Sequence, residues 1–161
     1  MTTTRALCYP HPKGATSVVA GGVPKGLHPT AGLAHNWALD FLAHGGTPVL
    51  AVEKGTIWKC SGHDPAEGVI GGDIYGWNTY LLTPDGLMYF YTHQSERFVR
   101  VGDKVAKGAI IGTVGHWPHD EGRSHTHLGV THPMGDRASR RAILNVADAP
   151  RVVGKPILRG V

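Results

Sequence analysis

The chain has 161 residues, enough for one domain with a real core and too few for two comfortable ones. Its 41% hydrophobic and 17% charged residues indicate a soluble globular protein, and 23 Gly with 11 Pro favour a β-rich, loop-rich plan over helices. No apolar run could span a membrane, no apolar segment behind Met1–Arg5 resembles a secretory leader, and a formal charge of +4 with 11 His fits an anionic partner.

In chain order, residues 1–34 carry Pro10, Pro12, Pro24 and Pro29 and read as an irregular arm packed on the domain. Strands follow at Trp37–Phe41, Thr47–Val52 and Thr56–Cys60, with Lys54-Gly55 as the turn between the last two. Ser61–Gly76 is a polar, Gly-rich loop of the kind that rims a binding cleft. Asn78–Thr83 and Leu87–Thr92 flank Pro84-Asp85-Gly86 and form a β-hairpin. Strands at Arg97–Val101 and Ala109–Val114 are separated by the structural turn Gly102–Gly108. A polar loop, His116–Arg123, leads to a strand over Ser124–Val130, and Asp136–Leu144 reads as a short helix. The tail, residues 134–161, is basic, with Arg137, Arg140, Arg141, Arg151, Lys155 and Arg159 on a solvated face that can also adsorb to anionic wall polymers. Cys8 and Cys60 match no metal spacing and are either two free thiols or one disulfide.

The chemistry concentrates in Ser124-His125-Thr126-His127-Leu128-Gly129-Val130. On a strand, side chains two apart share a face, so His125 and His127 enter one pocket while Leu128 and Val130 face away. Asp40 lies between core-facing Leu39 and Phe41, where a carboxylate is costly unless paired or coordinated. His35 lies just upstream, and His93 ends the aromatic strand Tyr89-Phe90-Tyr91-Thr92. Imidazole and carboxylate together suit zinc, whose catalytic sites take three protein ligands and leave a fourth position for water. The blander reading of His93 is a buried ring donating to a carbonyl. His11, His28, His63, His116, His119 and His132 read as solvent or loop histidines, with His116 and His119 able to reach the cleft rim. Tyr75, Trp77 and Tyr91 are candidates to line the groove.

Across roughly residues 28–133 the chain resembles the lysostaphin-type and LytM-type zinc endopeptidases that cut peptidoglycan cross-links. The resemblance rests on His35 and Asp40 followed by Gly46-Thr47-Pro48-Val49-Leu50-Ala51. It continues through Gly76-Trp77-Asn78-Thr79-Tyr80 and Tyr91-Thr92-His93. The turn Gly102-Asp103-Lys104-Val105-Ala106-Lys107-Gly108 and the closing His125-Thr126-His127 complete it. It implies a mainly β, single-domain antiparallel fold with a loop-lined groove, in which residues 35–133 form the zinc endopeptidase core. It implies one zinc per chain held by His35, Asp40 and His127, with His93 and His125 as the catalytic pair. The metal would polarise the scissile carbonyl and acidify water, while one of the pair takes a proton and the other meets the oxyanion or the leaving amine.

One departure stands out: four residues separate His35 from Asp40 where the family has three, so a bend near Asn36-Trp37 must restore their convergence, with His28 and His44 as substitutes. The implied substrate is peptidoglycan, in its peptide stems or cross-bridges, and not nucleic acid. The implied protein is a monomer acting at the bacterial cell wall, released by host lysis, carried on a virion as in phage lysins, or exported by a leader since removed. The competing readings are a zinc D-alanyl-D-alanine carboxypeptidase, whose closing Glu and Trp-His are missing here, and a non-catalytic relative that binds wall or activates another hydrolase.

Overall fold

The computed structural model describes residues 7–21, 38–65, 68–70, 75–117 and 124–131. Among these residues nine strands follow one another: Val18–Gly21 (β1), Leu39–Leu42 (β2), Pro48–Leu50 (β3), Gly55–Gly62 (β4), Trp77–Leu82 (β5), Met88–Arg97 (β6), Lys104–Val105 (β7), Ile110–Val114 (β8) and His125–Thr131 (β9). They form one sheet in the order β1-β2-β9-β6-β5-β4-β7, while β8 pairs with both β3 and β6, and every strand pairing is antiparallel. The mainly antiparallel β architecture expected from the sequence is the one observed.

The pleat explains the core. Phe41, Ile57, Leu81, Tyr89, Tyr91, Ile111 and Leu128 point to one side and pack together with Val49, Val52 and Val114. Burying side chains of this size stabilises a fold by roughly 1.5–3 kcal/mol each. Tyr91 belongs to this core and not to a groove: it is fully buried and its hydroxyl accepts the Val52 N–H at 2.8 Å. Its phenol is pushed up by burial, so it stays neutral. Trp77 lies half-buried beneath the Arg97 guanidinium, 4.6 Å from the ring centroid.

The hairpin between β5 and β6 closes as its sequence demands. The Thr83 N–H donates to Leu87 O at 2.7 Å, and the Thr83 hydroxyl donates to Asp85 Oδ1 at 2.6 Å. The segment 102–108 is a structural turn that contains β7; its Gly102 N–H donates to Ile57 O and its Gly108 N–H to Ala51 O, each at 2.8 Å.

Three further expectations need correction. The expected strand over Arg97–Val101 is instead the end of a ten-residue β6 that stops at Arg97. The N-terminal arm is not irregular throughout, because β1 pairs with β2 in register from Val18↔Leu42 to Gly21↔Leu39. His11 is not a solvent histidine but is 1% exposed. Cys8 and Cys60 are free, and the Cys8 thiol donates to Ala51 O at 3.2 Å. No described helix is long and apolar enough to cross a membrane. The helix expected at Asp136–Leu144 and the basic tail lie outside the described residues.

Candidate metal centre

Two neighbouring strands build the centre. In the β2–β9 ladder Asp40 is the cross-strand partner of His127 and Leu42 that of His125, so the pleat sends Asp40, His125 and His127 to the face opposite the core. His127 Nδ1 lies 2.8 Å from Asp40 Oδ1, and His125 Nε2 lies 3.6 Å from the same oxygen. One donor atom from each of the three residues falls within 4.8 Å of the others, and among the described residues this is the group able to hold a metal ion. Two imidazoles and a carboxylate at this spacing fit zinc, whose bonds to nitrogen and oxygen run about 2.0–2.2 Å. The His127 side chain is 3% exposed, whereas Asp40 and His125 are 22% and 17% exposed, so the pocket opens on their side.

A third strand supplies His93, by different means. β6 pairs with β9 through Met88–Thr92 and with β8 from Gln94 onward, so His93 marks the residue at which the strand changes partner. The β5–β6 and β6–β8 registers both shift around this point. His93 is the one non-glycine residue among those described with a left-handed backbone, at φ 65°. Thr92 lies on the pocket face as the cross-strand partner of His127, so plain alternation would turn His93 toward the core. The left-handed backbone re-aims it, and its ring stands 4.8 Å from that of His125 and 6.1 Å from that of His127.

His93 is half-buried. Desolvation, with His125 second, pushes its imidazole down to about 3, which keeps the ring neutral. Its Nδ1–H donates to Tyr75 O at 3.0 Å, and this fixes the tautomer that leaves Nε2 as the basic nitrogen. The bland expectation for His93, donation to a carbonyl, and the catalytic one are thus compatible in a single ring. Gly76 brings the Tyr75 carbonyl into place: it has φ 79°, and a Cβ there would meet Gln94 O at 2.6 Å. Tyr75 itself is 55% exposed at the rim, its ring 6.3 Å from His93.

Trp117 was absent from the residues singled out in the sequence. Its indole stacks on His125 at 5.3 Å and 20° and meets His93 edge-on at 5.2 Å. Its N–H on the backbone donates to Ser124 Oγ at 3.1 Å, which ties the loop to the start of β9. An aromatic residue in the polar loop leading into His-x-His was the available signal. His35 and His28 lie outside the described residues, and His44 is exposed on the turn after β2, apart from the clustered donors.

An antiparallel sheet that gathers two histidines and an aspartate in one pocket, with a neutral third histidine beside them, has the make-up of a metallopeptidase. Residues 34–139 match the profile of peptidase family M23, and the chain belongs to that family. It is 33% identical over 96 residues to a Vibrio cholerae protein named peptidoglycan DD-endopeptidase ShyC, a match that covers 57% of this chain and 19% of that protein. Its fold is similar to the catalytic domain of the antimicrobial peptidase lysostaphin from Staphylococcus simulans, at TM-score 0.56 and 27% identity, over 76% of this chain and 85% of that one. It also shares its fold with a zinc-containing peptidase from Vibrio cholerae, at TM-score 0.56 and 23% identity, over 79% of this chain and 37% of that one.

Proposed function

We propose that this protein is a zinc-dependent endopeptidase that hydrolyses peptide bonds in the peptide stems or cross-bridges of bacterial peptidoglycan. The observation that carries the reading is the convergence of Asp40, His125, His127 and His93 on one face of an M23 fold. Asp40 and His127 would hold the metal, with His35 as the third ligand implied by the sequence, and His125 and His93 would form the catalytic pair.

When bound, zinc supplies Lewis acidity, which polarises the scissile carbonyl and makes water acidic enough to attack near neutral pH. The chain's own groups do the rest. His93, whose Nδ1–H is engaged by Tyr75 O so that Nε2 is the accepting nitrogen, can receive a hydrogen from the attacking water. His125, held flat against Trp117, can donate to the developing oxyanion or to the leaving amine. The exposed Tyr75 ring, 6.3 Å from that of His93, is placed to meet the incoming peptide.

The test is zinc content by elemental analysis together with turbidity loss of purified peptidoglycan, for the full chain, His35→Ala and His125→Ala. We expect about one zinc per chain and chelator-sensitive lysis in the native protein. His35→Ala should lose both the metal and the lysis, whereas His125→Ala should keep the metal and lose the lysis. A native protein without metal and without lysis would show it to be a non-catalytic wall binder. Release of terminal D-alanine alone, with cross-links left intact, would show a carboxypeptidase.

A further inference from the structure

His11 is a titratable side chain that the proposed chemistry leaves unused. Its ring is 1% exposed, yet both nitrogens are satisfied: Nδ1 lies 2.8 Å from Thr16 Oγ1 and Nε2 lies 2.8 Å from Thr126 Oγ1. Burial, with His125 as a second cause, pushes the imidazole down to about 4, so the ring is neutral and one nitrogen donates while the other accepts. A threonine hydroxyl can take either part, so the two threonines match a neutral imidazole.

Thr126 is the residue between His125 and His127. The pleat points its hydroxyl to the core side, directly behind the pocket. Its cross-strand partner is Phe41, whose ring meets the His11 ring edge-on at 6.4 Å between centroids, and Phe41 itself adjoins Asp40 in β2. The segment carrying His11 is tied down on both sides. Cys8 N–H donates to Val52 O at 3.0 Å and Pro10 O accepts the Leu50 N–H at 2.7 Å, while Ser17 N–H donates to Leu42 O at 2.8 Å. His11 therefore sits in the middle of a fastened strap whose position the sheet dictates.

We infer that His11 is a positioning residue for the metal centre: bonded to Thr126 from behind, it holds the local twist of β9 and so the spacing of His127 and His125 from Asp40. The inference rests on the zinc reading above. It acts through the strand and not through contact with a ligand. The effect of removing it should therefore fall below the roughly 10–100-fold loss of metal affinity seen when a group bonded directly to a ligand is lost.

The experiment compares the full chain with Thr126→Val, Thr126→Ser, His11→Phe and the His11→Phe/Thr126→Val double variant. Zinc affinity is read by competition with a chromogenic chelator, coordination by the visible spectrum of the cobalt(II)-loaded protein, and folding by the thermal midpoint of the metal-free protein. Thr126→Val keeps the β-branched shape and should bind zinc about threefold to tenfold more weakly, with a shifted cobalt band. Thr126→Ser restores the hydroxyl and should restore both readings. The double variant should lose no more affinity than the worse single one, because both remove the same contact. Folded Thr126→Val protein with native zinc affinity and an unmoved cobalt band would overturn the inference, as would a lower thermal midpoint with no change in either metal reading. A native chain that binds neither zinc nor cobalt would overturn the zinc reading itself, an outcome visible before any variant is made.

Discussion

Two strands bring histidines to the same pocket in opposite ways. In β9 the pleat suffices: His125 and His127 alternate with Thr126 and Leu128, and the ladder to β2 runs in unbroken register. In β6 the pleat is broken: His93 has φ 65°, sits where the strand passes from β9 to β8, and is bracketed by two register shifts. Groups that must hold a fixed mutual spacing sit on regular backbone, where neighbours on both sides enforce it. The group suited to proton transfer sits at a distortion whose strain, on the order of 1–3 kcal/mol, the surrounding sheet must offset. The regular strand carries a donor that would hold the metal together with one member of the proposed catalytic pair, and the re-aimed residue is the other member.

Substitutions can break this division of labour. The largest effect is expected from His127→Ala, which removes a donor from the regular strand. Hydrolysis should fall by at least about 10³-fold, given the several kcal/mol that a catalytic metal supplies. Bound zinc should be lost, with little change in the thermal midpoint of the metal-free protein. Next comes the distorted strand: His93→Ala should lower kcat by about 10²–10⁴-fold and leave one zinc bound. His93→Gly should be equally inactive but more stable than His93→Ala by about 1 kcal/mol, because glycine accepts a positive φ without strain. Equal denaturant midpoints for the two variants would show that the left-handed backbone stores nothing. The smallest effect belongs to Trp117→Ala, which leaves both strands intact and removes the stack on His125. A loss of about 0.5–1.5 kcal/mol, at most roughly tenfold in kcat, is expected with KM nearly unchanged.

The same contrast explains what could be read from the sequence. Period-two alternation carries β9 and β2, so the shared face of His125 and His127, and the outward turn of Asp40 between Leu39 and Phe41, were legible from residue order alone. The β5–β6 hairpin was legible because Pro84-Asp85-Gly86 has few conformations open to it. Parity gave no warning of a left-handed residue at His93, whose aim was supplied by resemblance and not by pattern. Tyr91 illustrates the opposite failure: an aromatic two residues before His93 looks like groove lining, yet its hydroxyl has a backbone partner inside the core. His11 and Trp117 escaped because their roles depend on contacts of 115 and 8 positions in sequence separation, to Thr126 and His125, that no local spacing encodes.

The family match begins at residue 34, downstream of β1 and of the segment that carries His11 against the core side of β2 and β9. Anyone moving this M23 domain into a fusion protein would be tempted to cut there. Such a fragment would strip β2 of its outer neighbour and present a row of unpaired N–H and C=O groups, a template for edge-to-edge association between copies. It would also uncover Phe41 and the Thr126 hydroxyl. The portable module starts no later than Leu7, and a fusion joined further along the chain should be limited by solubility before it is limited by chemistry.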